Sequence, residues 1–284
     1  MDIRTDSQSI LRLIKLPDLL SVLNALLGFS AILLVLGGIS VTERAIKNAL
    51  VLILLAAVVD GLDGMVARNI ECSPLGVYLD SLADMLSFGV APAIVVYVLI
   101  KDYLAVSSPH VDVVLALCGA YVISGMLRLA RFNAKAFLYG APPHDPASPV
   151  RAYKESFSKE TNSSFSTGSI LEKGSSNDFV GFPITGSATF LASFMLLAIE
   201  LEFPPYSNAS LLIALMGILC FLMTSRIRYR TIRDKRLVIP VGIVFFTFFF
   251  FSILSLQFIY LALAVVALTT VYMCSPLLYL DKRT

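Results

Sequence analysis

The chain has 284 residues, of which 57% are hydrophobic and only 15% charged, and its mean hydropathy is +0.82. Soluble domains carry about 25% charged residues, so an ordinary soluble enzyme and a disordered module are excluded, and no nucleic-acid partner is expected. What remains is an all-α, polytopic integral membrane bundle, with room for about eight spans at ~20 apolar residues each.

The first residues, MDIRTDSQSILRLIK, lack the compact basic-then-apolar pattern of a cleavable signal. Ile10, Leu11, Leu13 and Ile14 share one side of a short helix beside Arg12 and Lys15. Residues 1–17 are therefore expected as an interfacial amphipathic segment, a frayed polar tail being the alternative. Apolar runs follow at 19–37, 46–66, 78–100, 112–133, 180–200, 209–225, 238–256 and 258–278. The last two form one stretch too long for a single span, and a break near Ser255-Leu256-Gln257 divides it into a hairpin. Continuous rather than alternating apolarity excludes a β-barrel.

Residues 18–278 are read as a single transmembrane catalytic domain, with 135–179 a flexible cytoplasmic loop and 279–284 a cytoplasmic tail. The loop is rich in Ser, Pro, Lys and Glu and lacks helical periodicity. With a cytoplasmic N-terminus, all but Arg44, Lys47 and Lys101 of the 22 Lys and Arg fall on the inside. Both termini are thus predicted cytoplasmic, in a multi-pass protein of the cell membrane. The basic run from Arg226 to Arg236 is a topology determinant, or a site for anionic head groups. The four cysteines (Cys72, Cys118, Cys220, Cys274) lie far apart and read as small hydrophobes.

The chemistry lies in VDGLDGMVARNIECSPLGVYLDSLAD, residues 59–84. Asp60 and Asp63 sit at i, i+3 near the end of the second span, Asp80 and Asp84 at i, i+4 near the start of the third. The short connection makes the helices antiparallel neighbours, so all four carboxylates are expected to converge just below the cytoplasmic surface. A carboxylate at mid-span costs roughly 2.5–3.5 kcal/mol, and mutual repulsion adds to that. Divalent cations relieve both, and an all-carboxylate set suits Mg²⁺, Mn²⁺ or Ca²⁺ rather than zinc. Gly61, Gly64, Ala67 and Gly76 remove bulk beside the carboxylates. That admits a ligand as large as a nucleotide, with Arg68 placed to pair with a phosphate, or simply lets helices pack.

The pattern D60-x2-D63-G64-x2-A67-R68-x7-G76-x3-D80-x3-D84 resembles in full the motif of the CDP-alcohol phosphotransferases. LPDLLSVLNALLG (16–28), LDSLADMLSFGVAPA (79–93), GMLRLARFNA (125–134) and VGFPITGSA (180–188) further resemble one branch, the phosphatidylserine synthases of bacterial and archaeal type. Asp18 stands where relatives often carry Asn, and the 135–179 insertion is longer than expected. The resemblance implies release of CMP from CDP-diacylglycerol or CDP-archaeol as the lipid phosphoryl group passes to the hydroxyl of L-serine. It implies two divalent ions, Mg²⁺ or Mn²⁺, on Asp60, Asp63, Asp80 and Asp84, with Asp84 also the general base and Asp80 beside it at the reacting centre. Gly64, Ala67, Arg68 and Gly76 would line the CDP-lipid site, with Asn24 and Ser21 as weaker nucleotide-side candidates. It also implies a homodimer among membrane lipids.

A serine acceptor needs partners for its carboxylate and ammonium. Arg128 and Arg131, at i, i+3 near the cytoplasmic end of the fourth span, with Asn133 close by, are the candidates. Snorkelling at the membrane boundary is the alternative reading of the arginines. Glycerol 3-phosphate or an inositol phosphate stays open as acceptor. A cation-coupled transporter is disfavoured because the acids gather at one interface rather than at the midplane.

Overall fold

The computed structural model describes residues 16–37, 42–66, 76–103, 108–140, 179–202, 205–229 and 259–280. Helix α1 (Leu16–Leu36) starts with Pro17, whose missing N–H costs nothing in a first turn, and Asp18 complements the helix dipole there. Helix α2 (Glu43–Val66) is capped by Thr42, whose Oγ1 accepts the N–H of Ala45 at 3.2 Å. α1 packs along most of α2.

Helix α3 is the centre of the bundle and touches α1, α2, α4 and α5. Of its apolar span, Gly76–Lys101, 72% is buried, against 33–39% for the three other long apolar helices. It is irregular: α-helical over Gly76–Asp84, π-helical over Met85–Val90, α-helical over Ala91–Val98 and π-helical over Leu99–Tyr103. Pro92 causes part of this. It has no N–H to give to the carbonyl of Phe88 four residues earlier, so that buried oxygen needs another donor. Tyr121 supplies it from helix α4 (Ser108–Gly140), its hydroxyl donating to Phe88 O at 3.2 Å and lying 3.0 Å from Ser187 Oγ. Cys118, one turn earlier, donates to Ala93 O at 3.2 Å.

Helix α5 (Ile184–Glu200) is antiparallel to α2, and a polar pair pins each end. Lys47 Nζ lies 3.0 Å from Glu200 at one end, and Thr185 Oγ1 donates to Asp60 at 3.3 Å at the other. Helix α6 (Pro205–Thr224) packs on α4, and helix α7 (Ile259–Leu280) on α5. A two-residue antiparallel pair, β1 (Phe179–Val180) with β2 (Arg228–Tyr229), joins the entrance of α5 to the exit of α6. Gly181 follows at φ +87°, and a Cβ there would sit 2.6 Å from Met223 O, so only glycine fits this turn.

Among the described residues four helices are long and apolar enough to cross a membrane: Pro17–Leu36, Glu43–Gly64, Gly76–Lys101 and Val111–Ala134. Shorter apolar helices, Ile184–Glu200, Ala209–Thr224 and Ile259–Cys274, occupy the expected fifth, sixth and eighth spans. The expected seventh span (238–256), the hairpin break, the segment 1–15 and the tail 281–284 lie outside the described residues. One detail differs from the sequence reading. α4 continues to Gly140, so residues 135–140, expected as loop, are helical. Lys135, Ala136, Phe137 and Leu138 simply prolong the helix, with no Pro or Gly between Gly125 and Gly140 to stop it. The two-residue β1–β2 pair leaves the architecture all-helical in class.

Candidate active site

At one end of the bundle, α2 and α3 bring Asp60, Asp80 and Asp84 together, each offering a carboxylate oxygen within 4.8 Å of the others. Asp84 is buried and the other two half-buried. Asp60 and Asp84 are within hydrogen-bonding reach of each other, a distance at which two ionised carboxylates need a shared proton or a cation between them.

Asp63 does not complete a four-membered ring. The i, i+3 spacing leaves its side chain about 60° around α2 from Asp60, so it turns toward α1. There Ser21 Oγ donates to Asp63 Oδ2 at 2.6 Å. The expected convergence of four carboxylates is therefore three, with Asp63 beside them and Asp18, also buried, close by. The i, i+4 pair on α3 is offset by only about 40°, which is why Asp80 and Asp84 do stay together. The other oxygen of Asp63 is buried without a hydrogen-bond partner among the described residues. An oxygen-only donor set, mutually repelling and with one buried oxygen unsatisfied, fits a hard divalent cation.

Asn24 of α1 holds the cluster from below, its Nδ2 donating to Asp84 Oδ1 at 3.2 Å. Ser87, in the π-helical stretch, donates to the Asn24 backbone carbonyl at 2.7 Å. Gly28, one turn on, allows this approach, since a Cβ there would lie 2.6 Å from the Cα of Ser87. Thus Asn24 is fixed by backbone as well as side chain. Ser21, a nucleotide-side candidate by sequence, is instead occupied with Asp63.

The two small residues on α2 behave differently from Gly28. Among the described residues a Cβ on Gly61 or Gly64 would meet nothing within 4 Å, so neither glycine serves packing between these helices. Both border open space beside the carboxylates. Gly76 is half-buried as the first residue of α3, while Ala67 and Arg68 lie outside the described residues.

The acceptor-side candidates separate. Arg128 lies within electrostatic reach of Asp84 and Asp60, and its Nε is buried with no hydrogen-bond partner among the described residues. Arg131 is exposed, because three residues along α4 turn it away from α3. Asn133 is half-buried and accepts from Ser81 Oγ at 3.0 Å, which ties α4 to the first turns of α3.

Sequence reasoning gave no site role to Thr185 or Tyr272. Thr185 was visible within VGFPITGSA, where Gly181 turns the chain, Pro183 opens α5 and the first helical turn then presents Thr185 to Asp60. Tyr272 of α7 stands near Arg128 and has no sequence signal beyond being a polar tip in an apolar helix.

Residues 14–153 match the CDP-alcohol phosphatidyltransferase family. Archaetidylserine synthase of Methanothermobacter thermautotrophicus is 40% identical over 131 residues, 45% of this chain and 51% of that protein. The CDP-diacylglycerol–serine O-phosphatidyltransferase of Mycobacterium bovis is 42% identical over 120 residues, 42% of this chain and 37% of that protein. The protein of the same name from Helicobacter pylori is 29% identical over 179 residues, 63% of this chain and 58% of that protein. The matched segments thus span about half the length of these relatives. All four motif aspartates, Asp60, Asp63, Asp80 and Asp84, lie within the residues that match the CDP-alcohol phosphatidyltransferase family.

Proposed function

We propose that the protein transfers a phosphatidyl or archaetidyl group from a CDP-linked lipid to the hydroxyl of L-serine, releasing CMP. The observation that carries this reading is the convergence of Asp60, Asp80 and Asp84 at one end of α2 and α3, inside the matched family segment. The choice of serine follows the names of the relatives, which include both a CDP-diacylglycerol–serine and an archaetidylserine enzyme.

Asp60, Asp80 and Asp84, with Asp63 alongside, would hold two divalent ions, Mg²⁺ or Mn²⁺. Bound there, the ions supply positive charge opposite the diphosphate and the departing CMP oxygen. The open space over Gly61 and Gly64 suits the nucleotide, with Ala67 and Arg68 following in the same motif. Asp84 takes the proton of the acceptor hydroxyl as that oxygen attacks the lipid-linked phosphorus. Asn24 orients the carboxylate by donating to Oδ1, which leaves the second oxygen for the proton. Arg128 offers an unused buried donor to the acceptor carboxylate. The site faces the cytoplasm. In support, Arg128, Arg131 and Arg226 lie at the site end of α4 and α6, whereas Arg44, Lys47 and Lys101 lie at the opposite end of α2 and α3.

The test is CMP release by the purified protein with CDP-diacylglycerol or CDP-archaeol, Mg²⁺ or Mn²⁺, and a panel of L-serine, glycerol 3-phosphate, inositol and inositol phosphate. Serine-dependent release that disappears in Asp84→Asn is the expected result. Release with another acceptor alone replaces serine. Release with none, on either donor, overturns the reading.

A further inference from the structure

The family match ends at residue 153, yet α7, more than a hundred residues later, places a phenol beside the site. We propose that Tyr272 is a positioning residue for acceptor recognition, setting the Arg128 guanidinium so that its Nε faces the carboxylate of an amino-acid acceptor. This rests on the reading of Arg128 given above.

Three observations carry it. Arg128 Nε is buried and without an acceptor among the described residues, although Asp84 and Asp60 are in electrostatic reach. An unpaired buried guanidinium donor is costly, and its natural partner is an anionic group arriving with substrate. Next, the Tyr272 ring is held in place from a different direction. It packs at 5.9 Å and 42° on Phe182, which is buried and whose N–H is bonded to Leu222 O at 3.1 Å. The ring is therefore referenced to the α5–α6 junction rather than to α4. Finally, Tyr272 and Arg128 interact electrostatically.

The chemistry of the pair is complementary. A guanidinium has five N–H donors and no acceptor, and a phenol oxygen accepts without bringing a full charge. A neutral acceptor on one edge fixes the plane of the fork and leaves its remaining edge free for a carboxylate, which prefers two parallel N–H donors. A carboxylate in place of Tyr272 would compete with substrate. A purely apolar residue would leave the plane of the guanidinium unset. Substrate selectivity would then be divided between halves of the chain: the motif aspartates for the nucleotide end, and α4 with α7 for the acceptor.

The experiment compares wild type, Tyr272→Phe and Tyr272→His in CMP release. Two acceptors are used, L-serine and L-serinamide, which keeps the hydroxyl and ammonium but lacks the carboxylate charge. Tyr272→Phe preserves the ring on Phe182. The expected result is a rise of about tenfold in KM for L-serine, as the hydroxyl dipole that orients the guanidinium is lost. Little change is expected in kcat, in KM for the CDP-lipid or in the apparent affinity for L-serinamide, with partial rescue by Tyr272→His. An unchanged serine KM, or equal losses for both acceptors, overturns the inference and leaves the proposed reaction standing. Absence of serine-dependent release in wild type overturns the proposed reaction and this inference with it.

Discussion

The amide of Asn24 and the carboxylate of Asp84 are sixty residues apart in sequence and 3.2 Å apart in space, and the bond between them joins α1 to α3. Because Ser87 also grips the Asn24 backbone carbonyl, the amide has little freedom to leave Asp84. Asn24→Ala is expected to lower kcat by roughly 10- to 100-fold, the range for a lost hydrogen bond to a charged group, with smaller changes in KM. Steady-state CMP release measures this, and an unchanged kcat would remove Asn24 from the site.

Gly61 and Gly64 give a sharper contrast. Alanine at either position meets no atom of the described residues within 4 Å and is a better helix former, so stability should hold or rise by about 0.5–1 kcal/mol. Activity should nevertheless fall, with a raised KM for the CDP-lipid. Thermal unfolding in detergent together with kinetics checks both halves. Loss of stability would mean that the glycines serve packing after all.

The carboxylate cluster predicts a metal-dependent melting temperature. Mn²⁺ or Mg²⁺ binds the folded site and not the unfolded chain, so wild type should gain stability with ion concentration. Asp80→Asn should behave in the opposite sense. It removes one repelling charge, so the variant should equal or exceed wild type in chelator and show a much smaller gain with metal. Identical metal responses would exclude Asp80 as a ligand.

Gly181 is expected to tolerate no side chain. With φ at +87° and the Met223 carbonyl in the way, Gly181→Ala should cost roughly 1–3 kcal/mol. The damage should reach the site, because the same turn delivers Thr185 to Asp60. Denaturation and metal titration of this variant provide the check.

The carboxylate motif was legible in the sequence because its residues lie on two consecutive helices with fixed spacing. Periodicity placed Asp80 and Asp84 on one face correctly. It over-reached for Asp60 and Asp63, since three residues fall about 60° short of a full turn and α1 offers Ser21 on that side. Arg128 and Arg131 part for the same reason. Tyr272 was illegible because its role depends on how α7 docks on α5, and apolar helices of this kind carry no pattern that specifies a partner. The end of α4 was missed at 135–140 because a polar composition was taken as loop where nothing interrupts the helix.

The π-helical stretch Met85–Val90 separates Asp80 and Asp84 from the half of α3 that fills the core. A widened turn accommodates an additional residue without breaking the helix, and each residue carries about 100° of rotation. The stretch therefore acts as a phase adjuster between a reactive face and a packing face that answer to different requirements. Winding the same residues as a regular α-helix, with Val95 and Val96 still buried, would instead swing both aspartates about a quarter-turn away from Asn24. The bundle would be intact, with its carboxylates aimed at the wrong neighbours.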